Sequence, residues 1–181
     1  METREHAPHQ QINQELIGLA LKNLLHDNPS GNLLEAGVEL SQGAFRIVYQ
    51  KKPFPRSTKS FTVIVSLSDS LGKAAFREFR FSATSGRSFK VGSVVKTMPA
   101  YQSNGYGAGL MMSSDIVIVD ALSRFPELEG KHVTAEIIDN SGGKPVNGAV
   151  PDRTKWSSYF AQRLGYTCVD PEKGLWRKVY Q

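Results

Sequence analysis

The stretch Met98-Pro99-Ala100-Tyr101-Gln102-Ser103-Asn104-Gly105-Tyr106-Gly107-Ala108-Gly109-Leu110 decides how the rest of the chain is interpreted. It follows a β-branched run that ends near Thr97, and it leads into an apolar run with helical spacing. A glycine turn between a strand and a helix presents unpaired backbone N–H groups at the positive end of the helix dipole. Glycines also let the backbone approach a phosphate closely, because no Cβ intervenes. The sequence therefore predicts an anion-binding turn in the middle of the chain.

Two familiar phosphate-binding loops do not fit this turn. The Walker loop ends in Gly-Lys-Ser/Thr, which is missing here. The dinucleotide-binding loop reads Gly-x-Gly-x-x-Gly and opens a parallel unit, whereas here the third glycine, Gly109, comes one residue early. The strands before the turn are also too many and too antiparallel for such a unit. What remains is a nucleotide-like ligand bound by a different architecture.

Hydrophobic periodicity divides the chain into alternating structural segments. Apolar residues from Ile12 to Leu25 have helical spacing, and the cluster His26–Gly31 ends that helix. Three successive antiparallel strands are expected between Phe61 and Thr97. The full prediction places strands at 45–49, 61–67, 75–81, 89–97, 132–138, 166–169 and 175–180, and further helices at 110–125 and 153–164. This order predicts an α/β protein of the α+β type, with a mixed, mostly antiparallel central sheet flanked by helices.

Composition is that of an ordinary globular domain. The 181 residues are 40% hydrophobic and 22% charged, which fits one domain over residues 1–181. Cys168 is the single cysteine, so no intrachain disulfide can form, and a reducing compartment is expected. No apolar run approaches the ~20 residues of a membrane-spanning helix, and the first ten residues are polar rather than signal-like. We therefore expect a cytoplasmic protein with no membrane partner.

The formal net charge of +5 makes nucleic acid a candidate partner. The basic residues are scattered, however, without a run and without regular aromatic interleaving. A solvated basic surface is the interpretation that we favour, so nucleic acid is not the expected partner. A net positive charge would still help to capture a polyanionic cofactor.

Two motifs in the second half of the chain carry a resemblance to a known family. Gln102-Ser103-Asn104-Gly105-Tyr106-Gly107 matches the Gln/Arg-x-x-Gly-x-Gly/Ala motif of the GNAT family of N-acetyltransferases. Downstream, Tyr159-Phe160-Ala161-Gln162-Arg163-Leu164-Gly165-Tyr166 looks like that family's late helix, which ends in Leu-Gly-aromatic. The resemblance covers residues 61–181, which would form an acyl-CoA-binding core. Residues 1–60 would form an atypical N-terminal part.

The resemblance implies acetyl-CoA as co-substrate. Backbone groups of the strand before the turn (94–98) would bind the pantetheine arm, and a splay between that strand and 132–138 would admit the thioester. The acetyl carbonyl would lie on a backbone N–H near Met98, and an amine would attack directly. The cofactor-binding residues implied in this way are Thr97, Met98, Gln102, Ser103, Asn104, Gly105, Tyr106, Gly107, Ala108 and Asn140.

The residues that would carry catalysis are less clear. Many family members have a tyrosine four residues before the late glycine, where this chain has Ala161. Glu136 and Tyr159 are the remaining candidates for base and acid, although a sheet-face carboxylate and a packing tyrosine are the plainer interpretations. Ala161 also favours an alternative, a non-catalytic acyl-CoA sensor. No metal is expected, because the histidines lack ligand spacing. The expected acceptor is an unspecified amine of a small molecule or protein, and aminoacyl-tRNA is a weaker alternative. The sequence leaves a homodimer open.

Overall fold

The computed structural model describes residues 12–41, 43–57, 59–102, 104–138 and 156–181. They form one eight-stranded sheet with four helices against it, which confirms the predicted α+β class. In chain order the elements are α1 (Gln14–Asp27), β1 (Leu33–Leu40), β2 (Gly43–Pro53), β3 (Phe61–Asp69), β4 (Gly72–Ser85), β5 (Ser88–Thr97), α2 (Tyr106–Met112), α3 (Ser114–Arg124), β6 (His132–Ile138), α4 (Trp156–Arg163), β7 (Thr167–Asp170) and β8 (Leu175–Tyr180).

The strands lie in the order β1-β2-β3-β4-β5-β6-β8-β7. Every neighbouring pair is antiparallel except β5 and β6, which are parallel and joined by α2 and α3. We call the end of the sheet where β5 finishes the upper end. The opposite end, which holds the β4–β5 hairpin, is the lower end. The one parallel pair therefore lies between two antiparallel blocks.

One face of the sheet is buried beneath the helices. Along β3 the side chains alternate, with Phe61, Val63 and Val65 buried and their neighbours partly exposed. The helices contact this buried face: α1 packs on α2, α2 covers β4 and β5, and α4 covers β6 and β7. Among the described residues, the opposite face presents exposed side chains such as Arg80 and Val94. This is the hydrophobic-in, polar-out alternation of an antiparallel sheet with one wet face.

Local signals set the bounds of α1. The side chain of Asn13 accepts a hydrogen bond from the N–H of Glu15 (2.9 Å) and so caps the helix start. At the other end Asn28 donates from its side chain to the carbonyl of Leu24 (2.9 Å), and Pro29 follows. Ile17, Leu21 and their apolar neighbours face the core, as their spacing predicts.

Strand β1 was not predicted as a separate element. Its exposed face carries Glu35, Gly37 and Glu39, which are poor strand formers, so the sequence lacks a clear strand signal. The extended conformation of β1 is stabilised by its pairing with β2, whose sequence is more typical of a strand. The register is continuous from Leu33–Gln50 to Leu40–Gly43.

The predicted helix over 110–125 is wrong in one respect, because it breaks at Ser113 into α2 and α3. The buried Arg77 of β4 donates from Nη1 to the carbonyls of Leu110 and Met111, both at 3.0 Å. In a continuous helix those carbonyls would accept from the N–H groups four residues later. A guanidinium therefore takes the place of two helical hydrogen bonds.

No helix in the described part of the chain is long and apolar enough to cross a membrane.

Candidate functional site

The glycine turn (residues 98–108) connects β5 to α2 at the upper end of the sheet. A short 3-10 helix over Pro99–Tyr101 comes first, and Gly105 then adopts a left-handed conformation (φ 92°) as the N-cap of α2. Tyr101 fixes the turn, because its hydroxyl donates to Asp69 at 2.6 Å and its ring meets that of Tyr106 edge to face. The predicted strand–turn–helix arrangement is confirmed.

Three consecutive N–H groups open α2, those of Tyr106, Gly107 and Ala108. The first hydrogen bond of the helix runs from the N–H of Gly109 to the carbonyl of Gly105 (2.9 Å). Within the described residues, none of the three earlier N–H groups has a backbone acceptor. They can therefore bind an anion, as orphan donors at a helix start do.

Two of the glycines serve packing rather than ligand approach. A Cβ on Gly105 would lie 2.2 Å from the carbonyl oxygen of Ile12, and a Cβ on Gly109 would lie 2.3 Å from Cδ1 of Ile17. The N–H of Ile12 also donates to the carbonyl of Asn104 (2.9 Å). The glycines thus let the start of α1 contact the turn, a role that the spacing alone did not indicate.

A gap opens between β5 and β6 directly below the turn. The parallel ladder joins Ser88–Gly92 to His132–Glu136 and ends there. Beyond it, Ser93–Thr97 stays paired with β4, and the end of β6 stays paired with β8. The upper half of β5 therefore has no described partner on its β6 side. This is the predicted splay between the two strands.

Alternation along β5 shows which backbone groups face the gap. The N–H of Met98 donates to the carbonyl of Ala74 (2.8 Å), so it points toward β4 and is not available to a ligand. Because successive residues of a strand point their backbone groups to opposite sides, those of Val95 and Thr97 face the gap. Thr97 therefore replaces Met98 as the donor nearest the turn.

A buried arginine lies beneath the gap on the helical face. Arg77 is 1% exposed and donates from Nη2 to the hydroxyl of Ser93 (2.8 Å), the first residue of β5 beyond the ladder. Its other contacts are the two α2 carbonyls and the hydroxyl of Ser114. Burial lowers the pKa of Arg77 to about 10, so the group stays charged at neutral pH. Arg77 therefore links β5 by hydrogen bonds to the break between α2 and α3.

A second polar cluster adjoins Arg77. Lys178 of β8 donates to both carboxylate oxygens of Asp115, each at 3.0 Å, and Tyr180 donates to the same carboxylate. Burial raises the pKa of Tyr180 well above its usual range, and the Asp115 carboxylate raises it further. The Tyr180 hydroxyl therefore stays protonated and acts as a hydrogen-bond donor.

Neither candidate for acid–base catalysis has a suitable setting. Glu136 lies at the mouth of the gap, but it forms ion pairs with Lys90 and Arg177, both at 2.7 Å. Burial alone would raise the pKa of Glu136, but the hydrogen bonds from these two cations outweigh it and lower the pKa. Tyr159 is 53% exposed on α4, and its hydroxyl accepts from Arg163 (2.6 Å). Ala161 is fully buried.

The fold brings most of the predicted cofactor residues together. Thr97 and Met98 end β5, and Gln102 with residues 104–108 forms the turn above the gap. Ser103 and Asn140 lie outside the described residues. Within the described residues, no group of three or more histidine, cysteine, aspartate or glutamate side chains is placed to hold a metal.

The polar groups below the gap were missed from the sequence. One feature of the sequence could have indicated Arg77. In the alternating pattern of β4 it falls on the apolar side, and Ala75, Phe79 and Phe81 lie on the same buried face. A charge in that phase needs buried acceptors. Asp115 and Lys178 carry no comparable local signal, because they meet only through the fold.

No protein-family model matches this chain, and a search of curated proteins finds no match.

Proposed function

We propose that this protein binds acetyl-CoA in the gap between β5 and β6 and transfers the acetyl group to an amine by direct attack, as a cytoplasmic N-acetyltransferase of GNAT type. One observation carries the proposal: the β5–β6 ladder ends at Gly92, immediately below a glycine turn whose first helical N–H groups have no backbone acceptor among the described residues. A linear ligand with amides at one end and phosphates at the other fits that arrangement.

The gap suits the pantetheine arm. An extended ligand that carries amides can pair with an exposed strand edge through main-chain hydrogen bonds, as peptides do in β-augmentation. The groups that face the gap, at Val95 and Thr97, supply both donors and acceptors for such pairing. Because β5 stays joined to β4 throughout this segment, the edge is held rigid before the ligand arrives.

The turn suits the pyrophosphate. No lysine or arginine occurs between Lys96 and Arg124, so backbone donors would carry the recognition of the phosphates. Gln102 is exposed and Ala108 is half-buried, whereas Tyr106 and Gly107 are buried. A phosphate would therefore reach the turn from the side of Gln102 and Ala108.

Transfer itself requires only local help. The N–H of Val95, which faces the gap farther from the turn, would bind the acetyl carbonyl and stabilise the negative charge that grows on its oxygen as the amine attacks. The N–H of Thr97 and the carbonyls that face the gap are then left for the pantetheine arm. The departing thiolate takes a proton, and the ammonium formed on the acceptor loses one. No described side chain in the gap is assigned to either proton transfer.

A second candidate function is an acyl-CoA sensor without turnover. The buried methyl of Ala161 favours it, because that position carries no hydroxyl where many members of the GNAT family have a tyrosine as general acid, and the nearby Tyr159 is exposed and bound to Arg163. Such a module would use the same gap and turn but would release no thiol.

Thermal melting with acetyl-CoA tests binding. At 100 times its dissociation constant a ligand stabilises the folded state by ~2.7 kcal/mol. Thr97→Pro should abolish the shift, because it removes an N–H that faces the gap while leaving the ladder to β4 intact. Thr97→Ala is the matched control and should retain the shift, since it keeps the N–H. If wild-type protein shows no shift with acetyl-CoA or longer acyl-CoAs, both candidate functions are wrong.

Thiol release separates the two candidates once binding is found. Incubation with acetyl-CoA and a panel of primary amines should liberate free CoA in step with acetylated product. Binding without thiol release for any amine would favour the sensor.

A further inference from the structure

The lower end of the sheet collects basic side chains that are scattered in the sequence. Three segments meet there: the β2–β3 loop, the β4–β5 hairpin and the start of β6. The N–H of Ala83 donates to the hydroxyl of Ser60 (3.2 Å), and the N–H of His132 donates to the carbonyl of Arg87 (3.0 Å). The basic residues of this surface, which we call the basic end, are Lys52, Arg56, Lys59, Arg87 and Lys131.

These cations have no counter-charge among the described residues. No carboxylate lies within ion-pair distance of any of them, although Lys131 donates to the carbonyl of Gly86 (2.5 Å). Two carboxylates near this end already form ion pairs with other cations, Glu127 with Lys51 (2.5 Å) and Asp120 with Arg124 (2.7 Å). The exposed Glu129 offsets only part of the positive charge.

The open face of the sheet is different in this respect. There Arg80 pairs with Glu78, and Lys90 and Arg177 both pair with Glu136. Exposed lysines that form no ion pair within the described part of the chain also occur at the upper end, as Lys73 and Lys96, but the basic end gathers five unpaired cations from three adjacent segments.

A groove runs between the β2–β3 loop and the hairpin. Its volume is about 470 Å³, and its lining includes Lys59, Lys131 and the hydroxyl-bearing Thr84 and Ser85. Glu127, paired with Lys51, also lines the groove. Thr84 donates its hydroxyl proton to the carbonyl of Ser88 (3.1 Å). The two lysines and the hydroxyl of Ser85 are the groups that can donate to a phosphodiester backbone.

An exposed aromatic ring belongs to the same loop as Lys59, where the N–H of Phe54 donates to the carbonyl of Ser60 (3.2 Å). Phe54 is 39% exposed and lies in the loop Lys52-Pro53-Phe54-Pro55-Arg56, with a cation two residues away on each side. Proteins that bind single strands combine a basic groove with aromatic rings on which bases stack. Flanking prolines restrict the loop, so the ring is presented at a reduced entropic cost.

We propose that the basic end binds single-stranded nucleic acid, with phosphates against Lys59 and Lys131 and a base stacked on Phe54. Unpaired bases favour a single strand over a duplex, whose stacked bases would leave Phe54 without a partner. A lipid surface fits less well, because Phe54 is flanked by cations and prolines rather than by an apolar face. This inference is independent of acyl-CoA binding at the upper end.

Fluorescence anisotropy with labelled 12-nucleotide single strands of RNA and of DNA tests the proposal. The double variant Lys59→Gln with Lys131→Gln should bind at least about tenfold more weakly at low salt. Its slope of log affinity against log salt should flatten by about 1.4, which corresponds to two lost phosphate contacts on a single strand. The matched control, Lys73→Gln with Lys96→Gln, makes the same change in net charge at the upper end and should bind within about twofold of wild type.

Phe54→Leu isolates stacking from charge. It should weaken binding of the oligonucleotides about fivefold while keeping the salt slope, since base–aromatic stacking is lost but no phosphate contact is. These side chains are exposed except Lys131, which is half-buried, so the variants should melt close to the wild-type temperature.

Three results would overturn the proposal: no binding of either oligonucleotide at low salt, equal loss in both double variants, or tighter binding to anionic lipid vesicles that survives Phe54→Leu. The second would reduce the interaction to net charge, and the third would identify a membrane surface.

Discussion

The two ends of the sheet offer an anion different kinds of contact. At the upper end the donors are backbone N–H groups fixed by a turn, and no lysine or arginine occurs between Lys96 and Arg124. At the basic end the donors are long exposed side chains such as Lys59 and Arg87. Backbone donors select by geometry and cannot move away. Side-chain cations attract by charge and are screened by salt.

Arg77 shows why the cation closest to the gap is not available to a ligand. It lies directly below the gap, but its guanidinium is occupied by carbonyls of Leu110 and Met111 and by two serine hydroxyls. Its charge supports the fold there rather than binding a ligand. The contrast between the two ends is therefore one between cations bound within the structure and cations left at the surface.

Replacing Arg77 should have the largest effect on stability. Arg77→Met leaves the Leu110 carbonyl without a donor in the core and removes one of the two donors to the Met111 carbonyl, which keeps the hydroxyl of Ser114. It should lower the free energy of unfolding by about 3 to 5 kcal/mol. Urea denaturation followed by circular dichroism measures the change. Arg80→Met, which removes an exposed arginine from the same strand, should cost less than about 0.5 kcal/mol. Equal losses in the two variants would contradict the role assigned to Arg77.

Adding one methyl group at the turn should have the next largest effect. Gly105→Ala puts a Cβ on a left-handed residue, 2.2 Å from the carbonyl oxygen of Ile12, so the start of α1 must move. We expect a loss of about 2 to 3 kcal/mol in the free energy of unfolding, from backbone strain and lost packing. A neutral result would mean that α1 does not contact the turn in solution.

The same substitution at the basic end should act in the opposite direction. Gly86 has no positive φ, and a Cβ there would meet nothing within 4 Å. Gly86→Ala should therefore raise the free energy of unfolding by about 0.4 to 1 kcal/mol, because it restricts the unfolded chain. Parallel denaturation of the two alanine variants measures this difference in sign.

The smallest effect concerns acid stability at the mouth of the gap. Lys90 and Arg177 hold the pKa of Glu136 below the ordinary value of a glutamate, so the folded state binds this proton less readily than the unfolded state. That contribution to stability is present above the unfolded pKa and is lost as the pH falls through the folded pKa. Between about pH 5 and pH 3, Glu136→Gln should lose less stability than wild type.

Melting temperatures across this pH range provide the measurement. Glu39→Gln serves as control, since Glu39 is exposed and has no ion pair among the described residues. It should follow the wild-type profile. A Glu136→Gln profile that matches wild type would show that the two ion pairs do not persist in solution.

The elements of the fold that could be predicted are those whose sequence signals lie within one contiguous segment. The turn is contiguous, so the strand, the glycines and the helix around Gly105 could all be placed from the sequence. The break at Ser113 could not, because it depends on a side chain from β4, which lies more than 30 residues earlier. The strand β1 was missed because its exposed face has poor strand formers, and only its pairing with β2 decides its conformation.

The candidate site divides in the same way. The proposed cofactor residues of the turn follow from a motif, and the expectation of a gap follows from the family resemblance that the motif carries. The polar cluster of Asp115, Lys178 and Tyr180 joins two segments about 60 residues apart, so no local pattern marks it. The basic end is assembled from three segments, which is why its charges look scattered in the sequence.

The contact between Ile12 and the glycine turn also has a consequence for the order of folding. Helix α1 emerges early from the ribosome, yet the groups that it packs against, Asn104 to Gly109, are synthesised about 90 residues later. Until then the apolar face of α1 lacks its native partner α2. The turn in its native conformation also requires the contact with the N-terminal segment at Ile12. Such non-local closure is slow. We therefore expect the turn to gain amide protection late during refolding, after the β2–β4 meander.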